Sequence, residues 1–269
     1  MISREHPVAL TIATSDSGAG AGVQADLLSF AARGVYGLSA FAALTAQSPE
    51  GVSAIHELPP DFLRAQLDQL KSYYAIGAVK TGMLFSAPLI EETAAFVSKL
   101  SVPCVVDPVM VATSGAVLLQ PEAITTLETQ LLPQATLITP NLDEAAVLLQ
   151  GERPTSSNLP DAAHALAKKY GTAVLLKGGH LEGNQLVDVL AETDGTLQRF
   201  QTRRVEGVNT HGSGCTLSAA ITAELAKGQP LPAAVKSGHT YLQACLQAPL
   251  QLGETPFISH LASMDKPGK

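Results

Sequence analysis

The 269-residue sequence predicts an α/β fold with a mainly parallel central sheet and an antiparallel edge hairpin. Three observations predict it. Short apolar runs rich in β-branched residues alternate with stretches of helical period. The apolar runs are continuous, as strands covered on both faces are. Two further runs flank an Asp-Gly pair, the strongest short hairpin signal.

In chain order the strands fall over 8–13, 38–44, 76–80, 102–107, 136–139 and 173–177. Between them helices are predicted over 23–33, 61–73, 88–99, 122–131, 142–149 and 161–170, several opening just after Pro, Asp or Asn, as helix starts do. Runs over 186–192 and 196–202 enclose Thr193-Asp194-Gly195 and form the hairpin. Only helices follow, over 216–227 and 232–247, and then a tail over 253–269 without a clear period. Neither a polar linker, a low-complexity tract nor an internal repeat divides the chain, so one domain over 1–269 is expected.

Hydrophobic content of 46% with 15% charged residues describes a soluble globular protein. A net charge of −7 argues against a nucleic-acid binder, whose affinity needs clustered Lys and Arg, and leaves a small-molecule partner. Cys104, Cys215 and Cys245 are an odd number without CxxC spacing, which suggests neither a disulfide framework nor a zinc site and fits a reducing cytoplasm. The N-terminal apolar run is too short for a secretory core, and no stretch reaches the length of a membrane span.

Four short stretches, the third and fourth each in two parts, fall at strand ends, where open α/β sheets bind ligands. TSDSGAGAGVQADL (14–27) is a Gly-rich turn without dinucleotide-fingerprint or Walker spacing, so alone it reads equally as a tight turn or a ligand loop. In LTAQS, Gln47 can donate and accept at once, as a heterocycle edge requires, although position alone favours an ordinary loop residue. Asp107, in DPVMVATSG after KTGML, is a carboxylate carried by a buried strand to the sheet edge, or else a turn former. In TPNLDEA, Asn141 and Glu144 make a near capping box, and Glu144 is also placed to hold Mg²⁺ through water. Lys177, in LLKGGH, puts a cation beside two glycines. NTHGSGCTLSAAI (209–221) places Cys215 behind Gly212-Ser213-Gly214 at a helix start, an anion site by its free N–H groups and helix dipole. There the thiol pKa is expected to fall from about 8.5 towards neutrality; the bland alternative is a small buried filler. Together these groups point to phosphate transfer.

The order and wording of SDSGAGAGVQADL, LTAQS, KTGML, DPVMVA, LITPNLDEA, LLKGGH and NTHGSGCTLSAAI resemble the hydroxymethylpyrimidine/phosphomethylpyrimidine kinases of thiamine biosynthesis, members of the ribokinase-like superfamily. The likeness runs from about residue 8 to residue 247, leaving the tail outside. It implies a three-layer αβα fold, a homodimer, and transfer of the ATP γ-phosphate to 4-amino-5-hydroxymethyl-2-methylpyrimidine and then to the monophosphate. It implies that Asp16, Gly18 and Gln47 hold the pyrimidine, with Met83 and Val109 as apolar wall. Lys177, Asn141 and Thr210 would meet ATP, and Asp107 and Glu144 would arrange Mg²⁺ and its waters. Gly212, Ser213 and Gly214 would supply the anion hole, and Cys215 stands where most sugar kinases of the superfamily carry an Asp base.

Two departures from the family wording are Thr14, where Gly is usual, and Gly-Ser-Gly for Gly-Thr-Gly. Thr14 puts the pocket's width in question. Pyridoxal kinase is the competing enzyme reading, and a non-catalytic pyrimidine sensor the competing reading of another class. Residues 112–116 are a lid candidate.

Overall fold

The computed structural model describes residues 6–110, 119–179, 185–252, 254 and 256–262. The lid candidate over 112–116 and His180 lie outside the described residues. Strands β1 (Val8–Asp16), β2 (Tyr36–Ser48), β3 (Gly51–Glu57), β4 (Ala78–Thr81), β5 (Cys104–Val106), β6 (Leu137–Ile138), β7 (Ala173–Leu176), β8 (Gln185–Ala191) and β9 (Leu197–Arg203) form one sheet. Its order is β3-β2-β1-β4-β5-β6-β7-β8-β9. From β2 to β7 every pairing is parallel, and β3 and β8 run antiparallel to their neighbours.

Helices α1 (Gly22–Ala32), α7 (Ser213–Ala226) and α8 (Leu231–Gln247) cover one face. On the other lie α2 (Pro60–Tyr73), α3 (Ala87–Val97), α4 (Pro121–Thr126), α5 (Leu142–Leu149) and α6 (Leu159–Tyr170). Val79, Cys104, Val106, Ile138, Val174 and Leu176 point to the second face, while Ala78, Val105, Leu137, Ala173 and Leu175 point to the first. This period of two in strands buried on both sides gives the continuous apolar runs of the sequence. Among the described residues no helix is long and apolar enough to cross a membrane.

The expected hairpin is present as β8 and β9. A second antiparallel pair, β2 with β3, is not predicted by the sequence. Gly51–Glu57 is exposed along its whole length, so no buried face imposes an apolar pattern there. The helix expected over 122–131 begins as α4 and ends as a π-helix over Leu127–Leu131. Hydroxyls of Thr125, Thr126 and Thr129 each bond back to the carbonyl four residues earlier, a competition that bends helices.

Candidate active site

Strand parity lays a row of polar side chains beneath the start of α7. Two residues beyond Ala78, Val105, Leu137 and Leu175, which face α7 and α8, come Lys80, Asp107, Thr139 and Lys177 on the same face. Backbone bonds carry the ladder past the strand ends: Asp107 N–H to Thr81 O at 3.0 Å, Thr139 N–H to Val106 O at 3.0 Å, and Lys177 N–H to Pro140 O at 2.9 Å.

Asp107 is the hub of this row. Lys177 Nζ donates to its Oδ1 at 3.0 Å and Thr139 Oγ1 to Oδ1 at 3.2 Å, while Ser218 Oγ of α7 lies 3.3 Å from Oδ2 and shares its one proton with the closer carbonyls of Gly214 and Cys215 at 2.9 and 3.1 Å. Burial pushes the carboxyl up, but Lys177, Lys80 and the Thr139 bond outweigh it and hold the group below its usual range. Lys177 stays charged for the complementary reason: burial lowers its pKa, and Asp107 and Glu144 raise it further.

Glu144 is held by a full capping box. The Asn141 side chain accepts the N–H groups of Asp143 and Glu144 at 2.9 and 2.8 Å, and Glu144 Oε2 accepts the Asn141 N–H at 2.8 Å. Burial, with Asp107 adding to it and Lys177 opposing, pushes this carboxyl up to about 8.

The run around Cys215 differs from its expected form by register. Helix α7 begins at Ser213 with Gly212 as its cap, so Cys215 is the third helical residue and not a residue ahead of the helix. Ser213 gives its N–H to Thr210 O at 3.0 Å, which removes it from the expected anion hole. Among the described residues the N–H groups of Gly214 and Cys215 have no acceptor, as the first turn of a helix dictates. A Cβ on Gly214 would stand 3.2 Å from Lys177 Nζ and 3.6 Å from Asp107 Oδ2, so this turn lies directly over the Asp107–Lys177 pair.

The electrostatics run against the expected low thiol pKa. Burial pushes the Cys215 thiol up to about 11, and Lys80 and the Gly22 N–H pull it only part of the way back. Desolvation of a would-be thiolate outweighs the helix end.

The first loop interlocks with this turn. Gly212 has φ +82°, and a Cβ there would overlap the Gly20 carbonyl oxygen. Asp16 Oδ1 and Oδ2 accept the N–H groups of Gly18 and Ala21 at 2.8 and 2.9 Å. Burial raises the Asp16 pKa, yet His211 and these N–H groups prevail and keep it low. His211 Nε2 lies 3.1 Å from Asp16 Oδ2 and 3.2 Å from Gln47 Nε2, joining the ends of β1 and β2 to the turn. Asp16, Gly18 and Gln47 are therefore brought together. A cleft of about 560 Å³ opens beside them, lined by Ser17, Gln47, Ser48 and the β2–β3 turn.

Met83 and Val109 do not line that cleft. Met83 offers its carbonyl to Thr14 N–H and Oγ1 at 3.0 and 2.9 Å, and Val109 is half-buried with its N–H on Asp107 O at 2.8 Å. Thr14 is buried by those bonds, so its side chain fills the seam between β1 and the loop after β4 and does not narrow the cleft. Thr210 is exposed and contributes its carbonyl to the turn.

Several residues of the site were not singled out from the sequence. Lys80 and Asp26 form a wholly buried ion pair at 2.5 Å, with Thr11 Oγ1 on Asp26 at 2.6 Å. Lysine inside an otherwise apolar strand was the available signal. His211 and Ser218 lie within NTHGSGCTLSAAI, and Thr139 follows from parity once the strands are placed.

A family model described as phosphomethylpyrimidine kinase matches residues 16–259. A hydroxymethylpyrimidine/phosphomethylpyrimidine kinase of Rhizobium meliloti is 44% identical over 250 residues, which cover 92% of this chain and 94% of that protein. Bacillus subtilis pyridoxal kinase, solved as an ADP complex, superposes with a TM-score of 0.87 at 34% identity, covering 96% of this chain and 98% of that one. Clostridium difficile phosphomethylpyrimidine kinase superposes with a TM-score of 0.78 at 36% identity, covering 88% and 97%. The family match reaches residue 259, into the tail that motif wording left outside.

Proposed function

The chain belongs to the phosphomethylpyrimidine kinase family, and from that premise we propose that it moves the ATP γ-phosphate onto 4-amino-5-hydroxymethyl-2-methylpyrimidine and then onto the resulting monophosphate. The observation that carries this reading is the stacking of the α7 turn over Lys177 and Asp107, with Cys215 in the same turn. Phosphoryl transfer is mainly positioning and charge stabilisation, and these groups provide both.

In this reading the N–H groups of Gly214 and Cys215 receive the phosphoryl oxygens, with Gly212 and Ser213 shaping the turn. Lys177 presents its ammonium to the phosphates, held in place by Asp107, and Asn141 and Thr210 border the nucleotide. Gln47 reads the pyrimidine edge, Asp16 and Gly18 form the loop beneath it, and Met83 and Val109 stand at the neighbouring strand ends. Cys215 in its thiolate form, a small fraction of the protein at neutral pH, accepts the proton of the first substrate's hydroxyl. In the second step the nucleophile is a phosphate oxygen that is already anionic, so no base is needed there.

Asp107 and Glu144 suit Mg²⁺ held through water. Asp107 spends its lone pairs on Lys177, Thr139 and Ser218, and no group of three or more His, Cys, Asp or Glu able to hold a metal occurs among the described residues. Such a sparse donor set fits an ion carried mostly by substrate phosphates. When bound, Mg²⁺ would neutralise phosphate charge. The proposal includes a homodimer acting in the cytoplasm.

A second reading, pyridoxal phosphorylation, is favoured by the close superposition on Bacillus subtilis pyridoxal kinase. Measuring ADP release with the pyrimidine alcohol, its monophosphate and pyridoxal in parallel tests both. Turnover of both pyrimidines is expected. Preference for pyridoxal would establish the second reading, and no turnover of any would leave a binding protein.

A further inference from the structure

The run after α8 has no sequence period, yet Ile258, Ser259 and His260 are only 5%, 6% and 6% exposed. Its fastening to α8 is explicit. Leu250 and Phe257 exchange two N–H···O bonds of 2.8 Å, Ser259 N–H reaches Cys245 O at 3.2 Å, and Tyr241 OH donates to His260 O at 2.6 Å. Ile258 packs with Ala220, Tyr241, Cys245 and Leu246.

Two further bonds leave this anchorage and reach the site. Asn209 N–H donates to Pro256 O at 2.8 Å, while Asn209 Oδ1 accepts the N–H of His211 at 2.9 Å. His260 Nε2 lies 3.1 Å from Thr216 Oγ1, in the residue directly after Cys215. Thr216 sends both its N–H and its Oγ1–H to Gly212 O, each at 2.8 Å. A hydroxyl has one proton, and the shorter contact, to a carbonyl oxygen that can only accept, assigns it to Gly212 O. Thr216 Oγ1 can therefore only accept from His260, which fixes the Nε2–H tautomer and the direction of the chain, from His260 through Thr216 to the Gly212 carbonyl. Burial also keeps the imidazole below its usual pKa, hence neutral.

We propose that His260 is a positioning residue for the phosphate-receiving turn, acting through Thr216 on the carbonyl of Gly212. This rests on the reading of Gly214 and Cys215 as phosphate donors. Anchoring the chain's end needs no imidazole: Ile258 and the Tyr241 bond already supply it, and a polar ring buried at 6% exposure costs free energy unless it is bonded. Its bond is spent on Thr216, whose backbone and side chain both bond to Gly212 O.

The test compares His260→Ala, His260→Gln, Thr216→Val and His260→Ala/Thr216→Val. His260→Ala should lower kcat for the pyrimidine alcohol about tenfold with its KM within about twofold, because a slackened turn misplaces the phosphoryl group and not the pyrimidine. His260→Gln, whose amide can donate near the same place, should recover most of that loss. In calorimetry His260→Ala should weaken a non-hydrolysable ATP analogue about tenfold and leave ADP unchanged, since the turn meets the terminal phosphate. The double variant should be no worse than Thr216→Val alone. Additive losses, failure of Gln to rescue, or equal weakening of ADP and the analogue would each overturn the proposal. If instead wild-type protein turned over no alcohol, the kinase reading would fall, while the analogue-to-ADP comparison would still decide the role of His260.

Discussion

At the scale of single residues, Cys215 carries the most chemistry. Its place as third residue of α7 gives its N–H to the anion turn and sends its side chain towards Gly22 and Lys80, where burial pushes the thiol up to about 11. The thiol form dominates below that value and the thiolate grows as pH rises. Iodoacetamide labelling of Cys215 in the free protein should therefore accelerate about tenfold per pH unit through the mildly alkaline range and level off only near 11. A plateau near neutrality would mean that the helix end prevails after all. Cys215→Ala should slow the first phosphorylation roughly 10²-fold or more, the range for a lost general base, and change the second little. Equal losses in the two half-reactions would remove the base role.

At the scale of elements, the site depends on two loops that meet through glycines. Gly212→Ala sets a methyl against the Gly20 carbonyl and imposes φ +82° on an L residue. It should cost about 2 kcal/mol in urea unfolding and at least about 10²-fold in kcat. Gly171→Ala, at φ +65° with nothing within 4 Å of the added methyl, isolates the backbone strain. That control should cost about 1 kcal/mol and leave kcat alone; matching kcat losses in the two variants would refute the interlock. This interlock also marks the limit of what the sequence makes legible. The parallel core was legible because strands buried on both faces read as unbroken apolar runs, and Asn141 and Glu144 were legible because a capping box is local. Strand β3 was not, since it buries no side chain, and the ion pair of Asp26 with Lys80 joins residues 54 positions apart. The helix start slipped from Thr216 to Ser213 because a left-handed glycine cap carries no side-chain signal.

At the scale of the whole molecule, the sheet is fastened inside and ends in two edge strands, β3 and β9. Lys80 of β4 and Asp26 of α1 are both wholly inaccessible, with Thr11 of β1 bonded to the same carboxylate. Removing one partner strands a buried charge, so Lys80→Met should cost about 3–5 kcal/mol in urea unfolding, and adding Asp26→Leu should restore most of it. An additive double variant would mean the pair fastens nothing. Of the two, β3 exposes more large apolar side chains. It exposes Val52 and Ile55 by 49% and 40%, beside Leu44 of β2 at 42%. An exposed edge strand with apolar side chains presents unpaired backbone groups to any matching strand, and two copies related by a twofold axis match by construction. This edge is the interface we propose for the homodimer. Sedimentation of the wild-type protein should give about twice the 27.9 kDa chain mass, Ile55→Lys should shift it towards the monomer, and Leu197→Lys on the opposite edge strand should not. The β2–β3 turn also borders the Gln47 cleft, so the monomeric variant should show a raised KM for the pyrimidine with that for ATP unchanged. A monomeric wild type would remove the homodimer, a dimer indifferent to Ile55→Lys would move the interface elsewhere, and either would detach the cleft from assembly.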